Sequence, residues 1–353
     1  MGMPHSMHTR TRCFGAAFLE KSLVKKDMIG MRRTNRLRGL HRAAAIAGFL
    51  GFAAIFPLNI WAFGEEGHRI VGLVAEMHLK GARALTEVRK ILRPQETLAD
   101  ASVWPDTIKT ATYEDGDTAL FRLAHPAQDT YHYTNPAFQS DRYDVALTGA
   151  RPTDAVQIAR ECVRVLRGKS TAFTQREALR MIAHLVGDMH QPLHVGNGFV
   201  SASTPLRFVP PTGPTGWRTT SGGNALVYGP QDRFNLHSYW DTHIVNLVMR
   251  NDDVPAFASR LMSDVVPAAN WKDTGDPDTW PERWATEMLG PAKEAYRDIR
   301  LTTYLGPDES GRTPHRWRIE QPAGYDDRAR AITRTQLAKG GYRLAALLRA
   351  IWP

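Results

Sequence analysis

Apolar residues recur at helical spacing along most of the chain after residue 63. Ile70, Leu73, Val74 and Met77 follow the pattern of one helix face, and we expect this helix to begin near Glu65. The same period predicts six more helices, over residues 153–167, 175–188, 237–250, 254–268, 280–304 and 326–351. Strand patterns are sparse by comparison. The sequence therefore predicts an all-α, mainly α-helical single domain.

Two segments interrupt this helical period. Residues 196–223 contain four prolines and several glycines, which predicts a long irregular surface loop. We expect a short strand pair, a β-hairpin, directly after it around residues 226–228. Residues 307–316 form the second predicted long loop.

The first 62 residues have a different composition from the rest of the chain. They hold ten Lys or Arg and two acidic residues, and so eight of the nine net positive charges. The basic start at Met31 and the uncharged apolar run over residues 43–58 are typical of a signal peptide, whose core we place at residues 31–62. The run has about sixteen residues, fewer than the roughly twenty that cross a bilayer, although an uncleaved anchor is the alternative.

Cleavage after Ala62 would make Phe63 the N-terminus of a domain over residues 63–353, which we expect in the periplasm or outside the cell and not in a membrane. This domain carries almost no net charge, so the overall basicity is no argument for nucleic-acid binding. Its single cysteine, Cys162, cannot form an intramolecular disulfide. The composition, with 42% hydrophobic and 23% charged residues, is globular and excludes a disordered, collagen-like or coiled-coil chain.

The densest group of potential metal ligands lies at the end of the helix predicted over residues 175–188. His184 and Asp188 are four residues apart, so on a helix both side chains lie on one face, about 6 Å apart at Cβ, as two ligands of one metal require. Pro192 ends the helix, and His194 beyond it can turn toward the same site or a neighbouring one. Alone, this pattern is equally compatible with a polar cluster in the core or on the surface.

A second pair repeats the spacing. His237 and Asp241 are four apart on another predicted helix, whose start Asn235 can cap. Three further candidate ligands are His68, Asp106 and His132. No cysteine is among them, and an excess of imidazole and carboxylate ligands is typical of catalytic metals with open coordination positions. The sequence therefore predicts more than one zinc-like ion.

These motifs, in the order in which they occur along the chain, resemble those of the type I, zinc-dependent single-strand-specific nucleases of fungi, plants and bacteria. That family is related to zinc phospholipase C. The resemblance extends over nearly all of residues 63–353. It includes Gly222-Gly223-Asn224 before the second pair and residues 338–345 near the C-terminus. It implies a mostly helical fold with three zinc ions at the bottom of a cleft.

The resemblance also implies how the ligands divide. One zinc ion would be held by four side chains: Asp106, His132, His184 and Asp188. A second would share Asp188 and be completed by His68 and by Phe63, whose free amino group exists only after cleavage. The third would be held by waters and three side chains: His194, His237 and Asp241.

Three positions depart from the family pattern. The family usually has tryptophan at the mature N-terminus, where this chain has Phe63, and a backbone ligand survives that change. The arginine that neutralises the phosphate is matched by Lys109, which supplies charge without bidentate geometry. An aspartate that contributes to base binding in the fungal members is matched by Asn135, which leaves the base preference open.

The resemblance and zinc chemistry together imply hydrolysis of single-stranded DNA and RNA to 5′-nucleotides, with 3′-nucleotidase activity. A zinc-bound hydroxide would attack phosphorus, Asp106 and Asp188 would hold the metals, and Lys109 would stabilise the developing charge. An unpaired base could stack on Tyr133. A packed position in the core is an equally open alternative for this residue. Asn224, like Asn135, is a candidate nucleotide contact, or it caps the loop.

Two alternatives remain open from the sequence. A zinc-dependent phospholipase C shares the ligand framework, although those relatives carry glutamate where this chain has Asp241. A non-catalytic zinc-binding periplasmic protein would not need Lys109. In each case we expect a monomer without a stable protein partner.

Overall fold

The structure is a computed structural model that describes residues 63–109 and 116–353. The predicted leader, residues 1–62, lies outside the described residues. No helix in the described ranges is both long and apolar enough to cross a membrane.

Helices dominate the described part of the chain, which confirms the predicted fold class. The α-helices are α1 (Gly64–His78), α2 (Arg83–Ile91), α3 (Leu98–Ala101), α4 (Trp104–Thr107), α5 (Gly116–Ala124), α6 (Ala155–Leu166), α7 (Gln175–Asp188), α8 (Pro192–Val195), α9 (Leu236–Ser238), α10 (Ile244–Met249), α11 (Val254–Asp264), α12 (Trp280–Tyr296) and α13 (Tyr325–Ile351). A π-helical turn, Tyr239–His243, joins α9 to α10.

Two small sheets accompany the helices. The strands are β1 (Phe199–Ser201), β2 (Trp217–Thr219), β3 (Leu226–Tyr228), β4 (Phe234–Asn235), β5 (Arg300–Gly306) and β6 (Arg316–Glu320). β1 and β2 form an antiparallel pair, and the other four make a sheet in the order β4-β3-β6-β5, with β3 parallel to β6.

The helix α7 lies at the centre of the main hydrophobic core, between α1, α6 and α13. Thr174 and Glu177 form a capping box that fixes its start, since each side chain binds the other residue's backbone N–H. All residues from Ala178 to Asp188 are buried, so the helix is surrounded on every side. The packing thereby holds the two candidate ligands at the end of α7 in a rigid element.

Most of the predicted helices are confirmed, with two errors at their ends. The helix predicted over residues 280–304 ends at Tyr296, because Asp298 takes a positive φ of 62° and the chain continues as β5. The helix predicted over 254–268 ends at Asp264, since Pro267 disfavours helical backbone at the preceding residue. The short helices α2 to α5 were not predicted at all.

The predicted loops are confirmed in part. β3 pairs with β4 as the expected hairpin, and residues 307–315 connect β5 to β6. The interpretation of residues 196–223 as a surface loop is wrong at its ends, where β1 and β2 pair and Phe199 and Val200 are buried. Long-range pairing decides these strands, and local periodicity does not report it.

Candidate metal centre

The first candidate group of ligands surrounds the end of α7. His184 and Asp188 lie on one helix face, and His184 Nε2 is 3.0 Å from Asp188 Oδ2. Both side chains are fully buried. The predicted i, i+4 juxtaposition is therefore present in the structure.

Three other segments bring ligands to this helix end. His132 follows a short 3-10 turn and places its Nδ1 2.8 Å from His184 Nε2. Asp106, in α4, has Oδ1 3.5 Å from His132 Nδ1, and His68, in α1, has Nε2 3.5 Å from Asp188 Oδ1. His68 approaches so closely that a Cβ at Gly187 would lie 2.7 Å from its Nδ1. Glycine at this position is therefore a packing requirement of the site.

The second candidate group lies at the junction of α8 and α9. His237 Nε2 is 3.2 Å from Asp241 Oδ2, and the rings of His194 and His237 stack with centroids 4.9 Å apart. His194 also joins the two groups, since its Nδ1 is 3.3 Å from Asp188 Oδ1. Asp241 belongs to the π-helical turn, a helix irregularity that occurs often at functional sites.

Backbone carbonyls orient three of the imidazoles. His184 Nδ1 lies 2.7 Å from the carbonyl oxygen of Ser102, and His194 Nδ1 lies 2.7 Å from that of His132. His237 Nδ1 is 2.8 Å from the oxygen of Gly222. If each Nδ1–H donates to its carbonyl, each Nε2 keeps a lone pair for a metal, which is the usual arrangement of metal-ligating histidines.

The donor set fits bound metal ions. Three groupings each have ligand atoms within 4.8 Å of one another: His68, His184 and Asp188; Asp106, His132 and His184; and His194, His237 and Asp241. Several of these buried atoms have no hydrogen-bond partner among the described residues, including His68 Nε2, Asp188 Oδ1 and Asp241 Oδ2. Burying unpaired polar atoms costs free energy, and a coordinated cation would remove that cost.

Burial and neighbouring charges shift the pKa values of the ligands in different directions. Burial lowers the pKa of His68 and of His132 to about 3, so both rings are neutral and available as ligands near pH 7. Burial opposes ionisation of Asp106, but Lys109 and the imidazoles outweigh it and lower the pKa of this carboxyl to about 2. For His194 burial is outweighed by Asp188 and Asp241, which raise its pKa to about 9. In the metal-free protein His194 therefore carries a proton that a metal must displace.

Phe63 lies beside the second group. Its side chain is fully buried, and its backbone N–H donates to Asp241 Oδ1 over 3.1 Å. Gln191, also fully buried, donates from Nε2 to the same oxygen over 2.6 Å. Two donors on Oδ1 leave Oδ2 of Asp241 as the oxygen that faces His237. The sequence analysis did not identify Gln191, although it lies within the motif that contains His184, Asp188 and His194.

His190 lies in the same motif but outside the cluster. It is fully buried, its Nδ1 is 2.7 Å from the carbonyl oxygen of Val186, and its Nε2 is 3.3 Å from Arg343 Nη1. Its ring is therefore directed toward Arg343 of α13 and Trp284 of α12.

A cavity of about 440 Å³ opens beside both groups. Its lining includes His132, His194, His237 and the four residues predicted from sequence to contact substrate: Lys109, Tyr133, Asn135 and Asn224. Lys109 Nζ is 2.6 Å from Asp106 Oδ1, so the cation lies at the junction between the first group and the cavity. The Asn224 side chain donates to the carbonyl oxygen of Ser221, as expected for a loop cap.

The helical fold and these clustered ligands define a buried His/Asp centre, with the capacity for several metal ions, next to a substrate-sized cavity. The family model described as S1/P1 Nuclease matches residues 63–353, and the chain belongs to this family. Its members hydrolyse phosphodiester bonds in nucleic acids, so the protein is a nuclease.

Individual relatives agree with the family match. The chain is 26% identical to Endonuclease 4 of Arabidopsis thaliana over 318 residues, which cover 82% of this chain and 89% of that protein. It is 23% identical to Nuclease S1 of Aspergillus oryzae, with coverage of 82% and 92%. For Nuclease P1 of Penicillium citrinum the identity is 24%, with coverage of 82% and 97%. The nuclease prediction is thereby favoured over the phospholipase.

Proposed function

We propose that the protein is a zinc-dependent phosphodiesterase that hydrolyses single-stranded DNA and RNA to 5′-nucleotides and also acts as a 3′-nucleotidase. The observation that supports this most directly is that His132, His194 and His237, which belong to the buried His/Asp groupings, line one cavity together with Lys109 and Tyr133. Lys, His and an aromatic ring together match the phosphate, sugar and base of a nucleotide.

We assign the ligands as the resemblance to the nuclease family divides them. Four side chains would hold the first zinc ion: Asp106, His132, His184 and Asp188. The second would share Asp188 and be held by His68 and by the amino and carbonyl groups of Phe63. Three side chains would hold the third: His194, His237 and Asp241. The lack of a cysteine among these ligands and the mixture of imidazole and carboxylate favour zinc with open positions.

When bound, zinc supplies Lewis acidity and lowers the pKa of coordinated water toward 7. The protein's own side chains contribute position and charge. Asp106 and Asp188 present buried carboxylates next to His132 and His194, which line the cavity, and the pKa of each carboxyl lies below its usual range. Lys109 would neutralise a non-bridging oxygen of the phosphate; its ammonium group contacts Asp106, and the residue lines the cavity, which supports this role.

Single-strand preference has a physical basis in the same cavity. Tyr133 is half-buried and lines the cavity next to His132, so part of its ring is available to a nucleobase. An unpaired base can stack on such a ring, whereas a duplex keeps its bases inside the stack. Asn135 offers amide groups to a base edge in the same cavity.

Secretion follows from the same proposal. A ligand at the amino group of Phe63 requires removal of residues 1–62, and export to the periplasm or medium is the step at which a signal peptide is removed. The mature enzyme would then act as a monomer without a stable protein partner and without a membrane anchor.

The full chain, expressed in a secreting bacterial host, tests these assignments. We expect an N-terminus at Phe63 and about three zinc ions per chain. The enzyme should release 5′-nucleotides from single-stranded DNA and RNA, and a chelator should stop this release. Phosphatidylcholine hydrolysis without nucleotide release would indicate a phospholipase C. Full activity after metal removal would contradict the zinc mechanism.

A further inference from the structure

An aromatic cluster lies outside the catalytic cavity, on the edge of the four-stranded sheet. Its members, which we call the Tyr304 cluster, are Arg218, Tyr304, His315 and Trp317. Tyr304 belongs to the edge strand β5 and is 41% exposed. Its cross-strand partner Trp317 is fully buried, and the two ring centroids are 5.9 Å apart. Trp317 thus supports an aromatic ring that reaches the surface.

An arginine from the other sheet completes the cluster. Arg218 Cζ lies over the Tyr304 ring, 5.4 Å from its centroid. In the four-stranded sheet Arg300 pairs with Glu320 and Arg318 pairs with Asp232, whereas no carboxylate of the described residues forms an ion pair with Arg218. Its charge is therefore available to an anionic ligand.

His315 adds a second ring. Its Nδ1 lies 2.7 Å from Tyr304 Oη, and the two ring centroids are 5.9 Å apart. Partial burial and the charge of Arg218 lower the pKa of His315, so its ring is neutral near pH 7. The cluster therefore combines one cation with uncharged aromatic rings, the composition that binds unpaired nucleotides.

The strand β2 connects this cluster to the catalytic cavity. Trp217 and Thr219 both line the cavity, and Arg218 lies between them in sequence. Because successive side chains of a strand point to opposite faces, the cavity and the Tyr304 cluster lie on the two sides of β2. Arg218 is thus the direct chain neighbour of two cavity-lining residues, which puts the cluster next to the rim of the cavity formed by β2.

We propose that the Tyr304 cluster is a second binding site for single-stranded nucleic acid, which holds a nucleotide that flanks the one in the catalytic cavity. This inference rests on the proposed function. The flanking base stacks on Tyr304 or on the guanidinium plane of Arg218, and the adjacent phosphate is neutralised by Arg218. A 3′-mononucleotide is confined to the cavity, whereas an oligonucleotide gains the additional contacts.

The test compares kcat/KM of the zinc-loaded enzyme for a thymidine dinucleotide and for longer oligothymidylates up to a decanucleotide. We expect kcat/KM to rise with length. Tyr304→Ala and Arg218→Ala each lower it about tenfold for the decanucleotide and leave the dinucleotide unchanged. Arg218→Ala also reduces the slope of log(kcat/KM) against log[salt] by about 0.7 for the decanucleotide.

Two further variants separate ligand binding from structural support. Tyr304→Phe keeps the ring and loses the contact with His315, so it retains the length dependence. Lys80→Ala removes an exposed positive charge between α1 and α2 and serves as the charge-matched control. It should leave kcat/KM unchanged for oligonucleotides of every length.

The results that would overturn the inference are specific. Equal kcat/KM for all lengths, or equal losses for dinucleotide and decanucleotide in the alanine variants, would mean that the cluster only joins β2 to β5. If the dinucleotide and the decanucleotide both resist hydrolysis by the unaltered enzyme, the proposed function itself fails. These outcomes are distinguishable because the first leaves dinucleotide cleavage intact.

Discussion

The two His/Asp pairs share one sequence spacing but belong to different local structures. His184 and Asp188 end a regular helix that is capped at its start and buried on all sides. His237 and Asp241 belong to a three-residue helix and the π-helical turn that follows it. The same i, i+4 pattern therefore gives one pair held by its own helix and one held by contacts from elsewhere.

Those contacts come from distant parts of the chain. Asp241 Oδ1 accepts hydrogen bonds from Gln191 and from the backbone of Phe63, and His237 is oriented by the carbonyl of Gly222. The first pair contacts three of the other ligands through Asp188, namely His68, His132 and His194. We therefore expect loss of the first pair to abolish most metal binding, and loss of the second pair to remove one ion and lower turnover less.

The largest effect is expected at the carboxylate common to two of the proposed metal positions. Asp188→Asn lowers turnover by more than about 10³-fold, because it weakens two metal positions at once, each worth several kcal/mol. Metal analysis should show loss of about two ions per chain. Asp154→Asn, which alters a buried carboxylate at the start of α6, is the control: it lowers the melting temperature and retains all metal. Normal metal content in Asp188→Asn would contradict the assignment.

The matching change in the second pair is expected to do less. Asp241→Asn lowers turnover by about 300-fold, within the range for loss of one group that stabilises the transition state. One metal ion is lost and the other two remain, as measured by atomic absorption on the purified variant. If Asp188→Asn and Asp241→Asn lose the same number of ions, the two groups are not independent.

Stability of the metal-free protein should depend on pH through both groups. His194, with its pKa raised to about 9, stabilises the folded state fully below pH 6.5 and loses that contribution as the pH rises through 9, on the order of 3 kcal/mol. The pKa of His184 is also raised and adds to the alkaline loss. His68 and His132, with pKa lowered to about 3, cause the opposite loss as the pH falls from 6.5 toward 3.

Thermal unfolding of chelator-treated protein between pH 4 and 10 measures the loss of stability at both acid and alkaline pH. In His194→Gln the melting temperature should fall less steeply at alkaline pH, and its fall at acid pH should be unchanged. An alkaline side that His194→Gln does not alter would show that this histidine carries no proton in the metal-free centre.

The smallest effect is expected from a glycine that touches no metal. Gly222 has φ +61°, and a Cβ there would lie 2.9 Å from the carbonyl oxygen of Leu193 and 3.4 Å from His237 Nδ1. Gly222→Ala should move the carbonyl that orients His237 and lower turnover about tenfold. Gly213→Ala is the control, since it has φ +70° and no atom within 4 Å of the added Cβ. Equal activity of the two variants would mean that His237 does not depend on this carbonyl.

The hydrophobic period was sufficient for the large helices, because a buried helix face needs apolar residues at fixed spacing. It failed for β5, because residues 300–304, which include two threonines and a tyrosine, were assigned to the preceding helix but pair with β6. It failed also for β1 and β2, whose pairing spans a proline-rich segment. In both cases a strand forms by pairing with another segment, and the helical period does not report such pairing.

The sequence by itself determined the helical class and the type of chemistry, since residue identity and spacing suffice to name imidazole and carboxylate ligands such as His184 and Asp188. Only the tertiary structure decided that separate segments bring further ligands to them, that backbone carbonyls orient the imidazoles, and that Gln191 directs one oxygen of Asp241. The physical reason is that these contacts join segments far apart along the chain, as between Phe63 and Asp241, which are 178 positions apart. Spacing along one helix is fixed by backbone geometry, whereas the meeting of separate segments is fixed by how the whole core packs.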